Sequence, residues 1–234
     1  MNLTFMPRIL RPLLAALPLL VAACGPADAV RPKPAFSANA PAVARVERFG
    51  SRPRIVFLGD SLSAGLGLPR EQAVPSLIQD RLDAEGRPYE VVNAGVSGDT
   101  SAGGLSRLEW SLEGDVEVLV IELGANDGLR GLPVSQMKGN LREIVTRAKG
   151  RGIAVILTGM EAPPNYGTAY ASEFRQAFRD LADEHDVTFV PFFLDGVAGI
   201  QSLNNSDGIH PNAAGARIIA EALWRALEPL LEDR

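Results

Sequence analysis

Residues 54–68 read RIVFLGDSLSAGLGL, an apolar run that stops at a turn containing an acid, two serines and three glycines. The run RIVFLG is rich in β-branched and aromatic residues, which is typical of a strand buried inside a sheet. A polar turn at the carboxyl end of a parallel strand lies where ligands bind in such sheets. Ser61 is therefore a candidate nucleophile, although serine, aspartate and glycine after a strand also form ordinary turns and helix caps.

The same pattern recurs along the chain, where short apolar runs bounded by glycine alternate five times with amphipathic stretches. Apolar residues at 3.6-residue spacing in those stretches predict helices. The alternation predicts an α/β domain with a parallel five-stranded sheet, each strand buried on both faces, and helices on both sides. The predicted strands are RIVFLG, YEVVNAG, VEVLVIELG, IAVILTGM and VTFVPFF.

Size and charge limit the classes of function. The chain has 234 residues, 46% of them hydrophobic, and a formal net charge of −5. This is enough for one substantial core, and the charge offers no basic surface for phosphates, so nucleic acid is excluded as a partner. The sequence also lacks the glycine spacing of phosphate loops and the histidine motifs of zinc hydrolases.

The N-terminus has the pattern of an export signal. Residues 1–23 carry two arginines, no acid and the apolar run PLLAALPLLVAA, which predicts a signal peptide. Cys24, the only cysteine, follows in VAAC, which resembles a bacterial lipobox and predicts a lipidated, membrane-attached protein facing the periplasm. Soluble periplasmic or secreted export is the alternative, because ADA at 27–29 resembles an ordinary cleavage site. The Ala/Pro-rich residues 24–52 predict a tether before a domain over 53–234.

Four polar segments fall on the predicted carboxyl edge and supply complementary parts of one reaction. They are GDS, NAGVSGDTS, GAND and SDGIHPN. His210 lies on this edge, whereas the other histidine, His185, lies at the polar end of a helix and is expected to be solvated. Asp207, three residues before His210, is placed to hold the imidazole Nδ1 proton and leave Nε2 free for Ser61.

Acyl transfer also needs donors for the oxyanion of the tetrahedral intermediate. Three candidates are the backbone N–H of Ser61, the backbone N–H of Gly98 and the side-chain amide of Asn126. The neighbouring Asp127 only accepts hydrogen bonds when ionised, so it is predicted to cap a helix or fix a loop.

GDSLSAG, the SGDT loop, GAND and DGIHPN resemble blocks I, II, III and V of the SGNH, or GDSL, hydrolases, in order, over residues 54–230. The resemblance implies a flavodoxin-like three-layer α/β/α sandwich. It implies Ser61 as nucleophile, His210 as base and Asp207 as its orienter, with Ser61, Gly98 and Asn126 as oxyanion donors. No metal or organic cofactor is implied. The implied function is a serine ester hydrolase with arylesterase, thioesterase or lysophospholipase activity on a small-molecule ester or thioester.

The segment MEAPPNYGTAY resembles the loop that lines the acyl cleft in this family, which makes Ala162, Pro163, Asn165 and Tyr166 candidate substrate-binding residues. Family members can carry a larger apolar residue at position 162, so alanine predicts a more open wall and favours short acyl or aryl esters over long-chain thioesters. A stiff proline-rich connection is an equally good interpretation of the segment. Two other functions stay open: a carbohydrate O-deacetylase and a catalytically silent envelope lipoprotein.

Overall fold

The computed structural model describes residues 52–232, and the predicted signal peptide, Cys24 and all but the last residue of the predicted tether lie outside this range. Its five strands are all parallel and form one sheet in the order β2-β1-β3-β4-β5. This is the flavodoxin-like order, so the predicted fold is confirmed. The strands are β1 (Arg54–Gly59), β2 (Glu90–Gly95), β3 (Val116–Glu122), β4 (Ala154–Thr158) and β5 (Thr188–Val190).

Eight α-helices of the described residues flank the sheet. α2 packs on α8, while α6 packs against α3 and α7. No helix within residues 52–232 is long and apolar enough to cross a membrane. The helices are α1 (Ser61–Ala64), α2 (Val74–Ala84), α3 (Ser101–Ser106), α4 (Leu108–Ser111), α5 (Ala125–Leu129), α6 (Val134–Gly150), α7 (Thr168–His185) and α8 (Ala213–Glu232).

The burial of the strands follows their place in the sheet. The central strands β1, β3 and β4 carry fully buried side chains such as Phe57, Val120 and Ile156. The prediction that every strand is buried on both faces is wrong for β2 and β5, whose residues are mostly exposed or half-buried, because both are sheet edges. β5 ends before Pro191, which has no N–H for the ladder.

The outer edge of β2 is covered by a side chain. Gln79 of α2 accepts the Val91 N–H through Oε1 at 2.7 Å and donates through Nε2 to the Tyr89 carbonyl at 3.1 Å. A side-chain amide thus occupies backbone groups that an additional strand would use, which protects the edge from pairing with another chain.

The amphipathic stretch LSRLEWSLEG at residues 105–114 is not one continuous helix: it contains the end of α3 and all of α4. α3 begins earlier, at Ser101, where the Thr100 hydroxyl accepts the Gly103 N–H at 3.4 Å. Arg107, between the two helices, directs its guanidinium back to the carboxyl ends of the strands, which fixes the loops there.

The loop after β2 lies directly against the turn after β1. A Cβ at Gly95 would lie 2.4 Å from the backbone nitrogen of Ala64, so only glycine allows this approach. The close contact brings the second and first polar segments of the sequence together at the carboxyl edge of the sheet.

Candidate active site

Ser61 lies at the edge of the sheet because of a tight strand-to-helix turn. β1 ends at Gly59, and Ser61 is the first residue of the one-turn helix α1. The Asp60 side chain caps this helix by accepting the Leu62 N–H at 3.0 Å. Gly65 ends the helix in the left-handed conformation, with φ of 75°. The short helix holds Ser61 at the surface of a cavity.

The three predicted members of a triad form a continuous hydrogen-bonded chain. Ser61 Oγ lies 2.9 Å from His210 Nε2, although 149 residues separate them in sequence. His210 Nδ1 lies 2.7 Å from Asp207 Oδ2. Both histidine nitrogens thus have the partners that a nucleophile, a base and an orienting carboxylate require.

The Asp207 carboxylate is held in place by the backbone of its own loop. Its Oδ1 accepts the N–H groups of His210 at 3.0 Å and of Ile209 at 2.9 Å. These backbone hydrogen bonds, together with the His210 side chain, lower the pKa of Asp207 to about 2. Asp207 therefore remains ionised and accepting at neutral pH, which favours the His210 tautomer with a proton on Nδ1.

Ser61, Gly98 and Asn126, which the sequence predicts as oxyanion donors, all line the cavity in front of Ser61 Oγ. No protein acceptor within residues 52–232 takes the backbone N–H of Ser61 or that of Gly98. Gly98 has φ of +85°, a left-handed conformation that favours glycine. The Asn126 amide donates one N–H to Asp60, and Asn126 lines the cavity.

The Asp60 carboxyl joins the nucleophile turn to this amide. Its Oδ2 accepts the Asn126 Nδ2–H at 2.9 Å, while its Oδ1 caps α1 at Leu62. Asp60 is 1% exposed. Burial raises its pKa, and the hydrogen bonds from Leu62 and Asn126 offset that effect only in part. The cap was predicted from the sequence, but the contact with Asn126 was not.

Two arginines hold the loop that carries Gly98. Arg107 donates through Nε to Asp99 Oδ2 at 2.6 Å, through Nη1 to the Ala94 carbonyl at 2.6 Å and through Nη2 to the Gly59 carbonyl at 2.8 Å. Arg130 donates through Nη2 to the Gly98 carbonyl at 2.8 Å. Arg107 thereby ties this loop to the ends of both β1 and β2, and sequence reasoning missed both arginines.

Asp127 fixes the same loop from the opposite side. This buried carboxylate accepts the Ser101 N–H at 2.8 Å and the Ser101 hydroxyl at 2.6 Å, and Asn140 donates to that hydroxyl at 3.0 Å. Asp127 belongs to α5, beside Asn126, so it links the helix that carries Asn126 to the start of α3.

A cavity of about 640 Å³ opens in front of the Ser61 hydroxyl. Ala162 and Pro163 lie in its wall, whereas Asn165 and Tyr166 do not. The Tyr166 hydroxyl instead donates to the Leu129 carbonyl at 3.1 Å, which holds this side chain outside the wall. The apolar part of the wall includes Leu66, Leu129, Met160, Phe192, Leu194 and Ile209.

The second histidine lies away from this site. His185 is the last residue of α7, so it lies near the amino end of β5, at the sheet edge opposite to the cavity. Its side chain is only 18% exposed, so the prediction that His185 is solvated is wrong. Within residues 52–232, no group of three or more His, Cys, Asp or Glu side chains is arranged to hold a metal ion.

The parallel sheet and the polar chain at its carboxyl edge define an α/β/α hydrolase, and comparison with known proteins gives its family. The chain belongs to the GDSL-like lipase/acylhydrolase family, whose model matches residues 57–218. It is therefore a carboxylic ester hydrolase of the GDSL type, as the sequence predicted.

The chain is similar to characterised enzymes over most of their length. It is 46% identical to esterase TesA of Pseudomonas aeruginosa over 76% of this chain and 89% of that protein. It is 39% identical to an arylesterase of Vibrio mimicus over 74% of this chain and 88% of that protein. A crystal structure of TesA covers 76% of this chain and 99% of its own, at 45% identity and a TM-score of 0.73.

Replacing Asp207 tests the hydrogen-bonded chain. Asp207→Asn should lower kcat by about 10²–10⁴-fold, with little change in KM, because an amide no longer selects the histidine tautomer with Nε2 free. Steady-state kinetics on p-nitrophenyl acetate measures this. A kcat equal to that of wild type would contradict a role in catalysis for the hydrogen bond between Asp207 and His210.

The same variant makes a prediction about stability and pH. The folded-state pKa of Asp207 is depressed from 3.8 to about 2, so its carboxylate stabilises the fold fully above 3.8 and loses this effect as pH falls through about 2. The difference in unfolding free energy between wild type and Asp207→Asn, measured in urea, should therefore shrink as the pH is lowered from 3.8 toward about 2.

Proposed function

We propose that Ser61 is the nucleophile of this ester hydrolase and that the reaction proceeds through an acyl-enzyme. The observation that carries the proposal is the chain of 2.9 Å and 2.7 Å contacts from Ser61 through His210 to Asp207, open to an apolar cavity. A serine hydroxyl is a weak nucleophile unless a base lies within hydrogen-bond reach. Here that base is the His210 imidazole.

In the first half of the reaction, Ser61 Oγ attacks the ester carbonyl carbon and His210 Nε2 takes the hydroxyl proton. The carbonyl oxygen becomes an oxyanion, which accepts hydrogen bonds from the N–H groups of Ser61 and Gly98 and from the Asn126 amide. His210 then donates its proton to the leaving oxygen, and the alcohol departs. The ionised Asp207 stabilises the imidazolium and keeps the ring oriented.

In the second half, water replaces the alcohol. His210 accepts a proton from the water as its oxygen attacks the acyl carbon, and the same three donors hold the second oxyanion. Collapse of this intermediate returns the proton from His210 to Ser61 Oγ and releases the carboxylic acid. The protein ends in its initial protonation state, and each proton transfer in the proposed cycle is made by His210.

The cavity wall supports apolar esters as substrates. A volume of about 640 Å³ lies within the range of about 300–1,000 Å³ typical of small-molecule sites, and most of the wall is apolar. Ala162 contributes only a methyl group to it. We propose aryl and short acyl esters as preferred substrates over long-chain thioesters. One similar enzyme is named an arylesterase, and another, from Escherichia coli, a thioesterase and lysophospholipase.

Substitution of Ser61 tests the proposed reaction. Wild type should hydrolyse p-nitrophenyl acetate and p-nitrophenyl butyrate with higher kcat/KM than palmitoyl-CoA, measured side by side. Ser61→Ala should lower kcat on all three substrates by about 10³-fold or more, because the donors alone give only residual catalysis.

Ser106→Ala is the matched control, since Ser106 is an exposed serine whose hydroxyl donates only to the Gly103 carbonyl. Its activity should equal that of wild type. A Ser61→Ala protein that unfolds at the same temperature as wild type and hydrolyses the esters equally fast would rule out Ser61 as the nucleophile.

We also propose that the protein is exported and held at the periplasmic face of a membrane through lipidated Cys24. The support is the position of this lone cysteine directly after the apolar run of the predicted signal peptide. With the lipid present, the protein should fractionate with membranes, and Cys24→Ala should release it and remove the added mass of the mature N-terminus. Unchanged location and mass in the variant would reject the anchor and favour soluble export.

A further inference from the structure

Glu122 is a buried carboxyl that the proposed reaction does not use. It is the last residue of β3, pairs in register with Gly59 of β1, and is fully buried. The rest of its strand is apolar except for Glu117 near the start. Burying a carboxyl among apolar residues costs solvation free energy, and hydrogen bonds to the carboxyl offset this cost.

One oxygen of Glu122 gathers three donors from the nucleophile turn. Oε2 accepts the Asp60 N–H at 3.1 Å, the Ser63 N–H at 3.0 Å and the Ser63 hydroxyl at 2.8 Å. Each donor lies about 60 residues away in sequence. Glu122 therefore fastens β3 to the turn that holds Ser61.

Gly59 makes this contact possible. A Cβ at that position would lie 2.6 Å from Glu122 Oε2 and 2.1 Å from Ser63 Oγ. Because Gly59 has no side chain, there is room for the Glu122 carboxyl beneath the turn. Packing thus explains why the GDSL motif has a glycine at this position.

The side chain is suited to be a neutral acid. No ion pair within residues 52–232 includes Glu122, and its Oε1 is buried without a hydrogen-bond partner. Burial, and then the charge of the neighbouring Asp60, raise the pKa of Glu122 well above its usual value. Oε2 alone accepts all three donors, and it does so in either protonation state of the carboxyl.

The hydrogen bonds of the backbone N–H groups in the turn show the effect of the Glu122 carboxyl. Among residues 60–63, the N–H groups of Asp60 and Ser63 go to Glu122, and the N–H of Leu62 goes to Asp60 Oδ1. The Ser61 N–H is then the only one of the four without a protein acceptor in the described structure.

We propose that Glu122 is a positioning residue for the oxyanion hole: by taking up the amides on either side of Ser61, its Oε2 fixes the turn so that the Ser61 N–H points to the substrate. The proposal deepens the proposed function and rests on it, because the turn matters for rate only if Ser61 is the nucleophile. Glu122 itself touches neither substrate nor reacting atoms.

Three variants test the role of the Glu122 oxygen. Glu122→Met keeps the length of the side chain but has no carboxyl oxygen, so kcat on p-nitrophenyl acetate should fall by about 10- to 100-fold, below the roughly 10²–10³-fold loss of a whole donor, with little change in KM. Glu122→Gln retains an acceptor oxygen and should recover most of kcat. Thr158→Val is the control. It removes a different buried polar group, the hydroxyl at the end of β4, which donates to the Ile121 carbonyl at 3.0 Å.

Each kcat is divided by the number of functional sites, which is counted by labelling to completion with a fluorophosphonate probe. Melting temperatures are measured in parallel. The control should lower the melting temperature without lowering kcat per site. The proposal is overturned if Glu122→Met keeps the wild-type kcat per site, if Glu122→Gln loses as much as Glu122→Met, or if the control loses as much as either. Failure of wild type to be labelled would instead reject the proposed function.

Discussion

The hydrogen bond between Asn126 Nδ2 and Asp60 Oδ2, at 2.9 Å, joins the two halves of the site. One partner belongs to the nucleophile turn after β1, the other to α5 after β3. The bond uses one N–H of the Asn126 amide, and the proposed reaction uses the other for the oxyanion. It is a direct link between the turn of the proposed nucleophile and one of the three proposed oxyanion donors.

The network around this bond is polar and buried. Asp60 and Glu122 are both almost fully shielded from water, and burial raises the pKa of each. Such groups stabilise a unique arrangement only when their hydrogen bonds are satisfied. Here the donors are mostly backbone amides of the nucleophile turn. The hydrogen bonds that offset the cost of burying two carboxyls therefore also hold Ser61 in one place.

Part of this could be predicted from the sequence, because some of it is local. The alternation of apolar runs and amphipathic stretches indicated the five strands, and the polar segments after them indicated Ser61, Gly98, Asn126, Asp207 and His210. The loops that carry them meet because carboxyl ends of parallel strands share one edge. Residues at strand ends therefore become neighbours whatever their distance in the chain.

The supporting residues could not be predicted in the same way. Arg107 binds carbonyls 13 and 48 residues away, and Glu122 binds a turn about 60 residues away. No spacing in the sequence indicates such contacts, although a glutamate after four apolar residues at the end of a strand was a signal that went unused. The loop after β4 gave a mixed result for a similar reason: Ala162 and Pro163 face the cavity, whereas the contact with Leu129 holds Tyr166 outside it.

In the proposed reaction, three donors from separate loops meet the oxyanion formed at Ser61. A crystal structure of the protein after reaction with a phosphonate ester tests it most directly, since the tetrahedral phosphorus stands in for the attacked carbonyl carbon. We expect a covalent bond to Ser61 Oγ and one phosphonyl oxygen within about 3.1 Å of the backbone nitrogens of Ser61 and Gly98 and of Asn126 Nδ2. An adduct whose oxygen contacts none of these three, or a modification at another residue, would contradict it.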